Sequence, residues 1–236
     1  MTLDGARLTD LYRHRFGDEQ EARTELWQVL CHDFFQRWVA PTDTVLDVAA
    51  GHCEFANAIV AERRIALDLN PAVREHAGPG VEAVVGRSDA VPLADGEVDT
   101  AFVSNFFEHV DRDTILATLV ELRRVLRPGG RLLILQPNIR FCARDYWQFF
   151  DHVTPVDDRA LAEALAATGF ELQHCIPRFL PYTTKGRLPA TPALVRLYLR
   201  VPVAWRVLGA QSFLVATTTA STPTTPDPEP GEREEP

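Results

Sequence analysis

A doubly wound α/β domain is predicted by three features of the sequence. Short apolar runs recur at 44–48, 64–68, 81–86, 98–104 and 131–135, and stretches of helical spacing separate most of them. Helices between strands imply a parallel sheet with helices on both faces, because parallel neighbours need crossover connections. The first run passes through Asp47-Val48-Ala49-Ala50-Gly51 into an amphipathic segment. Such a strand, turn and helix brings backbone N–H groups and a helix N-terminus to a ligand, and small residues let that ligand approach. With 236 residues, 46% of them hydrophobic, the chain can bury one sizeable core. Ligands of such sheets bind at the carboxyl ends of the strands.

Residues 7–40 read as one or two helices broken at Gly17-Asp18, with an apolar stripe of Leu8, Leu11, Tyr12, Phe16, Leu26, Trp27, Leu30, Phe34 and Trp38. We read the stripe as packing on the sheet; an aromatic helix over the ligand mouth, through Tyr12 and Phe16, is the other reading. After the opening turn come a helix over 55–63, a strand over 64–68 and a helical turn over 71–76 with Pro71 near its first position. Strands at 81–86 and 98–104 follow. Ile115, Leu116, Leu119, Leu122, Val125 and Leu126 mark an amphipathic helix over 114–126 that stops at Pro128-Gly129-Gly130. A fifth strand lies over 131–135, a helix over 159–168 ends at Gly169, and two more strands lie over 170–176 and 211–217. The domain plan is a helical cap over 1–40, a main domain over 41–218 with an insert over 177–210, and a disordered acidic, Pro/Thr-rich tail over 219–236.

The net charge of -9 argues against general nucleic-acid binding, which usually needs a basic face. No apolar run is long enough to span a membrane, and the polar start carries no signal peptide. Cys31, Cys53, Cys142 and Cys175 lack the paired spacing of zinc or redox motifs, so we expect reduced thiols in a cytoplasmic protein, with neither metal nor disulfide.

Asp68 closes a strand about 20 residues after the turn, the separation at which an acid reaches ribose hydroxyls in mononucleotide-binding units. The turn, Asp47-Val48-Ala49-Ala50-Gly51-His52-Cys53, resembles the cofactor loop of class I S-adenosylmethionine-dependent methyltransferases, Asp/Glu-x-Gly-x-Gly-x-Gly. Asp47 and Gly51 match it, while Ala49 and Cys53 replace its first and third glycines. Asp89-Ala90 matches the family's pair that contacts the adenine. Residues 104–110 are similar to the segment that closes over the methionine part, and 121–134 to the helix, turn and strand of the small-molecule methyltransferases. The resemblance runs in order over about 45–172. It implies the seven-stranded, Rossmann-like methyltransferase sheet with its last strand antiparallel, S-adenosylmethionine as cofactor, and Asp47, Ala49, Gly51, Asp68, Leu69, Asp89, Ala90 and Asn105 as its contacts.

Methyl transfer is an in-line displacement, so the acceptor must be held opposite the methyl carbon, and a hydroxyl acceptor is helped by a base. His109, after the fourth strand, and His152, in the loop after the fifth, are the two catalytic candidates, with Glu108 beside the first. Tyr146 and Trp147 are expected to face a small-molecule substrate, since their loop has no core period. The insert carries Arg178, Lys185, Arg187, Arg196, Arg200 and Arg206 with no acid over 176–210. We read it first as a lid and second as a peripheral membrane contact through 192–208, with Arg178 and Lys185 binding an anionic acceptor. A hydroxyl of a sugar, lipid-linked glycan or natural product is the expected acceptor. Two alternatives remain: a NAD(P)-dependent oxidoreductase, which would need Gly-x-Gly-x-x-Gly where Ala49, Cys53 and Glu54 stand, and a non-catalytic nucleotide- or lipid-binding module.

Overall fold

The computed structural model describes residues 20–182 and 191–219. Tyr12, Phe16, the helix expected from residue 7, Lys185, Arg187 and the tail from 220 onward lie outside the described residues. One sheet of seven strands runs β3-β2-β1-β4-β5-β7-β6. Its members are β1 (Thr44–Val48), β2 (Arg63–Asp68), β3 (Val81–Val85), β4 (Val98–Ser104), β5 (Leu126–Pro137), β6 (Phe170–Ile176) and β7 (Gln211–Thr218). β7 pairs antiparallel with both β5 and β6, and the other pairings are parallel. The expected doubly wound sheet with one antiparallel strand is therefore what the chain forms, and the order reverses between β1 and β4, where such sheets bind ligands.

Alternation along the strands divides the core into two layers, because successive side chains leave opposite faces. Leu46, Val48, Ile65, Leu67, Ala101 and Val103 pack with Ile115, Leu119 and Leu122 of α4 (Arg112–Val125) and Leu161 and Leu165 of α6 (Asp158–Ala167). On the other face Val45, Phe102, Leu133 and Phe213 meet Val29, Leu30 and Phe34 of the N-terminal region, where α1 (Gln20–Asp33) runs into a 3-10 turn over Phe35–Trp38. Leu26, Trp27 and Trp38 join them, as a sheet-packing stripe requires. Phe55 stacks on Phe102 at 3.8 Å, and Phe34 on Phe179 at 4.1 Å.

Two element boundaries differ from expectation. The helix after the first turn, α2 (Glu54–Ala58), is one turn and a half long because Ile59 is already extended (ψ 144°). β5 begins at Leu126, so Pro128-Gly129-Gly130 sits inside the strand; Gly129 is left-handed (φ 74°) and donates to Thr218 Oγ1 at 2.9 Å. The remaining short elements are α3 (Val73–His76), α5 (Ile139–Tyr146), α7 (Pro192–Leu199) and α8 (Pro202–Leu208), the break between the last two falling at Arg200-Val201, just before Pro202.

The insert packs on the domain. Leu199 is buried, Val195 and Trp205 join the second core layer, Arg196 pairs with Asp33 at 3.2 Å, and Trp205 Nε1 donates to Tyr198 O at 2.8 Å. Leu197, Val203 and Val207 of the same helices are left exposed.

Candidate functional site

The turn after β1 is left-handed at all three positions where the resembled loop has glycine: Ala49 (φ 55°), Gly51 (φ 53°) and Cys53 (φ 58°). Two of the three carry a side chain there, at a cost of about 1–2 kcal/mol each. Ala50 N–H donates to Leu67 O at 3.0 Å, and Cys53, fully buried, directs its thiol to Val73 O at 3.7 Å, which together hold the turn against β2 and α3. A Cβ on Gly51 would meet nothing within 4 Å, so the turn faces open space there.

Asp68, at the end of β2, accepts from Gly51 N–H at 2.8 Å through Oδ2 and from Asn70 N–H at 2.7 Å through Oδ1. One carboxylate thus locks the turn to the neighbouring strand, and each oxygen keeps a further lone pair for a hydroxyl. Burial raises its carboxyl above the ordinary value, opposed by those two donors. Asp47 lies beneath the turn, accepts from Ala56 N–H at 3.2 Å and is pushed well up by burial, with Glu54 and Asp68 adding repulsion. Asp47 therefore supports the turn from inside. Leu69, 48% exposed, follows at the rim.

Beyond β3, Asp89 pairs with Arg87 at 2.5 Å, which holds its carboxyl below the usual range, and Ala90 is exposed. The loop behind them is clamped by α4. Arg124 donates to Val91 O and Leu93 O, both at 2.9 Å, Glu121 accepts from Val91 N–H at 3.0 Å, and Ser88 meets Thr118 at 2.8 Å. Glu121 and Arg124, legible in the sequence only as family-marking positions, thus fix the loop that presents Asp89 and Ala90. Beyond β4, Asn105 is left-handed (φ 49°), exposed, and tied to β5 by its N–H to Leu135 O at 2.9 Å. Seven of the eight expected cofactor contacts therefore lie at or just beyond the carboxyl ends of β1 to β4, and the eighth, Asp47, is buried beneath the turn. The set fits S-adenosylmethionine: an open glycine backbone and a carboxylate at the second strand.

The cluster around the two histidines is built differently. A 3-10 turn over Phe107–His109 carries Glu108 and His109, and the loop after α5 carries Asp151 and His152. Val153 and Thr154 N–H groups donate to Glu108 O at 2.8 and 3.2 Å, which joins the two segments. His109 Nδ1 lies 3.1 Å from Asp151 Oδ2, and its Nε2 3.7 Å from Glu108 Oε1. Burial lowers the imidazole's basicity, but the Asp151 hydrogen bond and the charges of Glu108 and Asp151 outweigh it, so the pKa is raised. Glu108 accepts from Gln136 Nε2 at 2.5 Å and is raised by burial. His152 is buried in a cage of Tyr146 (4.7 Å), Phe149 (5.1 Å) and His109 (4.9 Å between ring centres). Both candidate histidines are thus brought together. One ligand atom from each of Glu108, His109 and His152 falls within 4.8 Å of the others, which could hold a metal ion.

Two expectations are corrected. Tyr146 does not face a substrate: it is fully buried, donates to Thr154 O at 2.6 Å and accepts from Val156 N–H at 3.2 Å. Its hydroxyl finds partners in its own loop, which no apolar period reveals. Trp147 remains 53% exposed beside it. Arg178 is committed to carbonyls, donating to Gly209 O at 2.8 Å and Val207 O at 2.9 Å while lying over Phe141, so it closes the end of α8 instead of presenting a cation to an acceptor. Gln136 and Asp151 were missed by sequence reasoning; a polar residue ending the run Leu132-Leu133-Ile134-Leu135 was the signal for the first.

Comparison with known proteins agrees with this geometry. A methyltransferase-domain family matches residues 46–134. The chain is 33% identical over 146 residues to a malonyl-[acyl-carrier protein] O-methyltransferase of Methylococcus capsulatus, covering 55% of this chain and 52% of that protein. It is 33% identical over 126 residues to the ubiquinone/menaquinone biosynthesis C-methyltransferase UbiE of Paracoccus denitrificans, covering 47% of this chain and 48% of that one. The chain spans only about half the length of these relatives. Among solved structures, a putative methyltransferase in complex with the Haloferax volcanii Trm112 methyltransferase activator superposes with a TM-score of 0.65 at 18% identity, over 89% of this chain and 97% of that one. The segment over 46–134 thus matches a methyltransferase domain, and the sheet around it has the fold of a solved methyltransferase structure.

Proposed function

We propose that the chain binds S-adenosylmethionine across the ends of β1 to β4 and transfers its methyl group to a hydroxyl of a small-molecule acceptor. The observation that carries this reading is the left-handed turn at 49, 51 and 53 locked by Asp68 to Gly51 N–H. When bound, the cofactor supplies a methyl group activated on a cationic sulfonium. The chain's own residues do the rest. Asp68 accepts from ribose hydroxyls, Gly51 and Ala49 let the ligand approach, Asp89 and Ala90 meet the base, and Leu69 and Asn105 line the rim. The buried acids Asp47 and Glu108 suit a cationic ligand better than a pyrophosphate, which would meet them as like charge. His109, reinforced by Asp151, and His152 are the catalytic residues proposed for the acceptor side, with Trp147 as the exposed aromatic beside them. Calorimetry tests the cofactor half: S-adenosylmethionine binds one to one and NAD does not. Methyl incorporation into a cell extract tests turnover; binding without incorporation is the outcome expected of a non-catalytic module.

The outer face of α7 and α8 supports a second reading, in which the protein rests on an anionic lipid surface. Leu197, Val203 and Val207 are 59%, 69% and 69% exposed beside Arg200 and Arg206. No helix among the described residues is long and apolar enough to cross a membrane, so contact would be peripheral. Sedimentation with phosphatidylglycerol vesicles, lost in Arg200→Glu/Arg206→Glu, supports it; an intact protein that stays in the supernatant removes it.

A further inference from the structure

We propose that Glu108, His109 and His152 form a binding site for one divalent first-row transition-metal ion, of which zinc is the reference case. Imidazole nitrogen and carboxylate bonds of about 2.0–2.2 Å place neighbouring donors roughly 3–4 Å apart. Glu108 Oε1 and His109 Nε2, at 3.7 Å, already have that spacing. One donor atom from each of the three residues lies within 4.8 Å of the others, so closure to that spacing needs about 1–2 Å of side-chain movement. His109 and His152 meet edge to face, at 80° and 4.9 Å.

The groups behind the donors are those that such a site needs. Metal-bound histidine is usually oriented by a carboxylate on its other nitrogen, and metal-bound carboxylates are themselves hydrogen-bonded. Asp151 Oδ2 stands 3.1 Å from His109 Nδ1, which leaves Nε2 for the ion. Gln136 Nε2 donates to Glu108 Oε2 at 2.5 Å, which leaves Oε1. The ligand-bearing segments are fixed to each other before any ion arrives, through Val153 and Thr154 N–H on Glu108 O. With both imidazoles neutral, as ligation requires, Glu108 and Asp151 give the cluster two negative charges for a divalent ion to neutralise. Two nitrogens and one carboxylate favour zinc, iron, cobalt or manganese over magnesium or calcium. His109, whose side chain is 18% exposed, is the way in, and three protein ligands leave coordination positions open.

What the ion does there rests on the methyl-transfer reading; whether it binds does not. An acceptor hydroxyl on an open position would lose its proton to water more readily. The oxygen lone pair then forms the O–CH3 bond while the S–CH3 electron pair stays on sulfur, leaving a neutral thioether.

The test is cobalt(II) titration of the chelator-stripped full chain, followed by visible absorption, with zinc as competitor and S-adenosylmethionine calorimetry on the same samples. The expected result is one equivalent of cobalt, displaced by zinc. Glu108→Gln, His109→Gln and His152→Gln should each weaken binding at least 100-fold, Asp151→Asn about 10- to 100-fold, and His76→Ala, at the stacked His52/His76 pair outside the cluster, not at all. Should a variant fail to fold, the unmutated chain gives the same answer: zinc should slow carbethoxylation by diethyl pyrocarbonate at His109 but not at His32, whose side chain is 85% exposed. Cofactor binding with no cobalt spectrum overturns this inference alone, as does a spectrum lost in His76→Ala and kept in His109→Gln. Cobalt binding without cofactor binding supports the site and removes the methyl-transfer reading instead.

Discussion

The two halves of the site are made of different material. The half proposed for the cofactor is backbone: a turn in which positions 49, 51 and 53 are left-handed and locked by Asp68, with Leu69, Ala90 and Asn105 exposed at the neighbouring strand ends. The acceptor half is side chains, Glu108 with Gln136, 28 residues apart, and His109 with Asp151, 42 apart, packed into the interior. A ligand held by backbone and a few rim groups can be released by point changes without loss of fold. A buried polar cluster is part of the core, so function and stability should change together there.

Replacing Gln136 by Leu should show the largest effect. It removes the Gln136 amide donor from the buried Glu108 carboxylate and should cost about 3 kcal/mol of stability, read from denaturant midpoints. An unchanged midpoint would put the acceptor half on the same footing as the cofactor half. Asp68→Ala should weaken S-adenosylmethionine about 100-fold by calorimetry, close to 2.7 kcal/mol, with a much smaller change in melting temperature. A melting loss as large as that of Gln136→Leu would erase the contrast.

Asp47→Asn should move the two readouts in opposite directions. Burial raises the native Asp47 pKa, so the folded chain holds this proton more tightly than the unfolded one, and stability is lost as pH rises from the ordinary carboxylate value through the native pKa. The amide should therefore stabilise the protein at neutral pH, on the order of 1 kcal/mol, while cofactor affinity falls. The gain should vanish toward pH 4. The smallest effect is expected at Ala49→Gly, where relief of the left-handed strain of φ 55° exceeds the added chain entropy by about 0.5 kcal/mol. Cofactor affinity should stay unchanged.

The same division explains what could be read from the sequence. The sheet was legible because apolar runs and helical spacing are local signals, and the positions proposed for the cofactor could be located because each follows a strand end at its place in the order. Even the missing glycines at 49 and 53 keep the geometry that glycine usually supplies. The acceptor half was legible only as residue types: His109 and His152 stood out, but their partners did not, since nothing local to Asp151 or Gln136 announces a contact across a sheet. Tyr146 was misread for the same reason, its burial being decided by Thr154 and Val156 and not by any spacing of its own. Arg178 was misread because a cation in a basic stretch looks free until the carbonyls of Val207 and Gly209 are seen to occupy it.

On the proposed function the turn at 49–53, locked by Asp68, is a site for S-adenosylmethionine. Calorimetric titration of the chain and of Asp68→Ala with S-adenosylmethionine and with NAD tests it most directly. The expected result is one-to-one binding of S-adenosylmethionine to the unmutated chain, about 100-fold weaker in the variant, and no heat from NAD. Binding of NAD in place of S-adenosylmethionine, or equal S-adenosylmethionine affinity in both proteins, would contradict it.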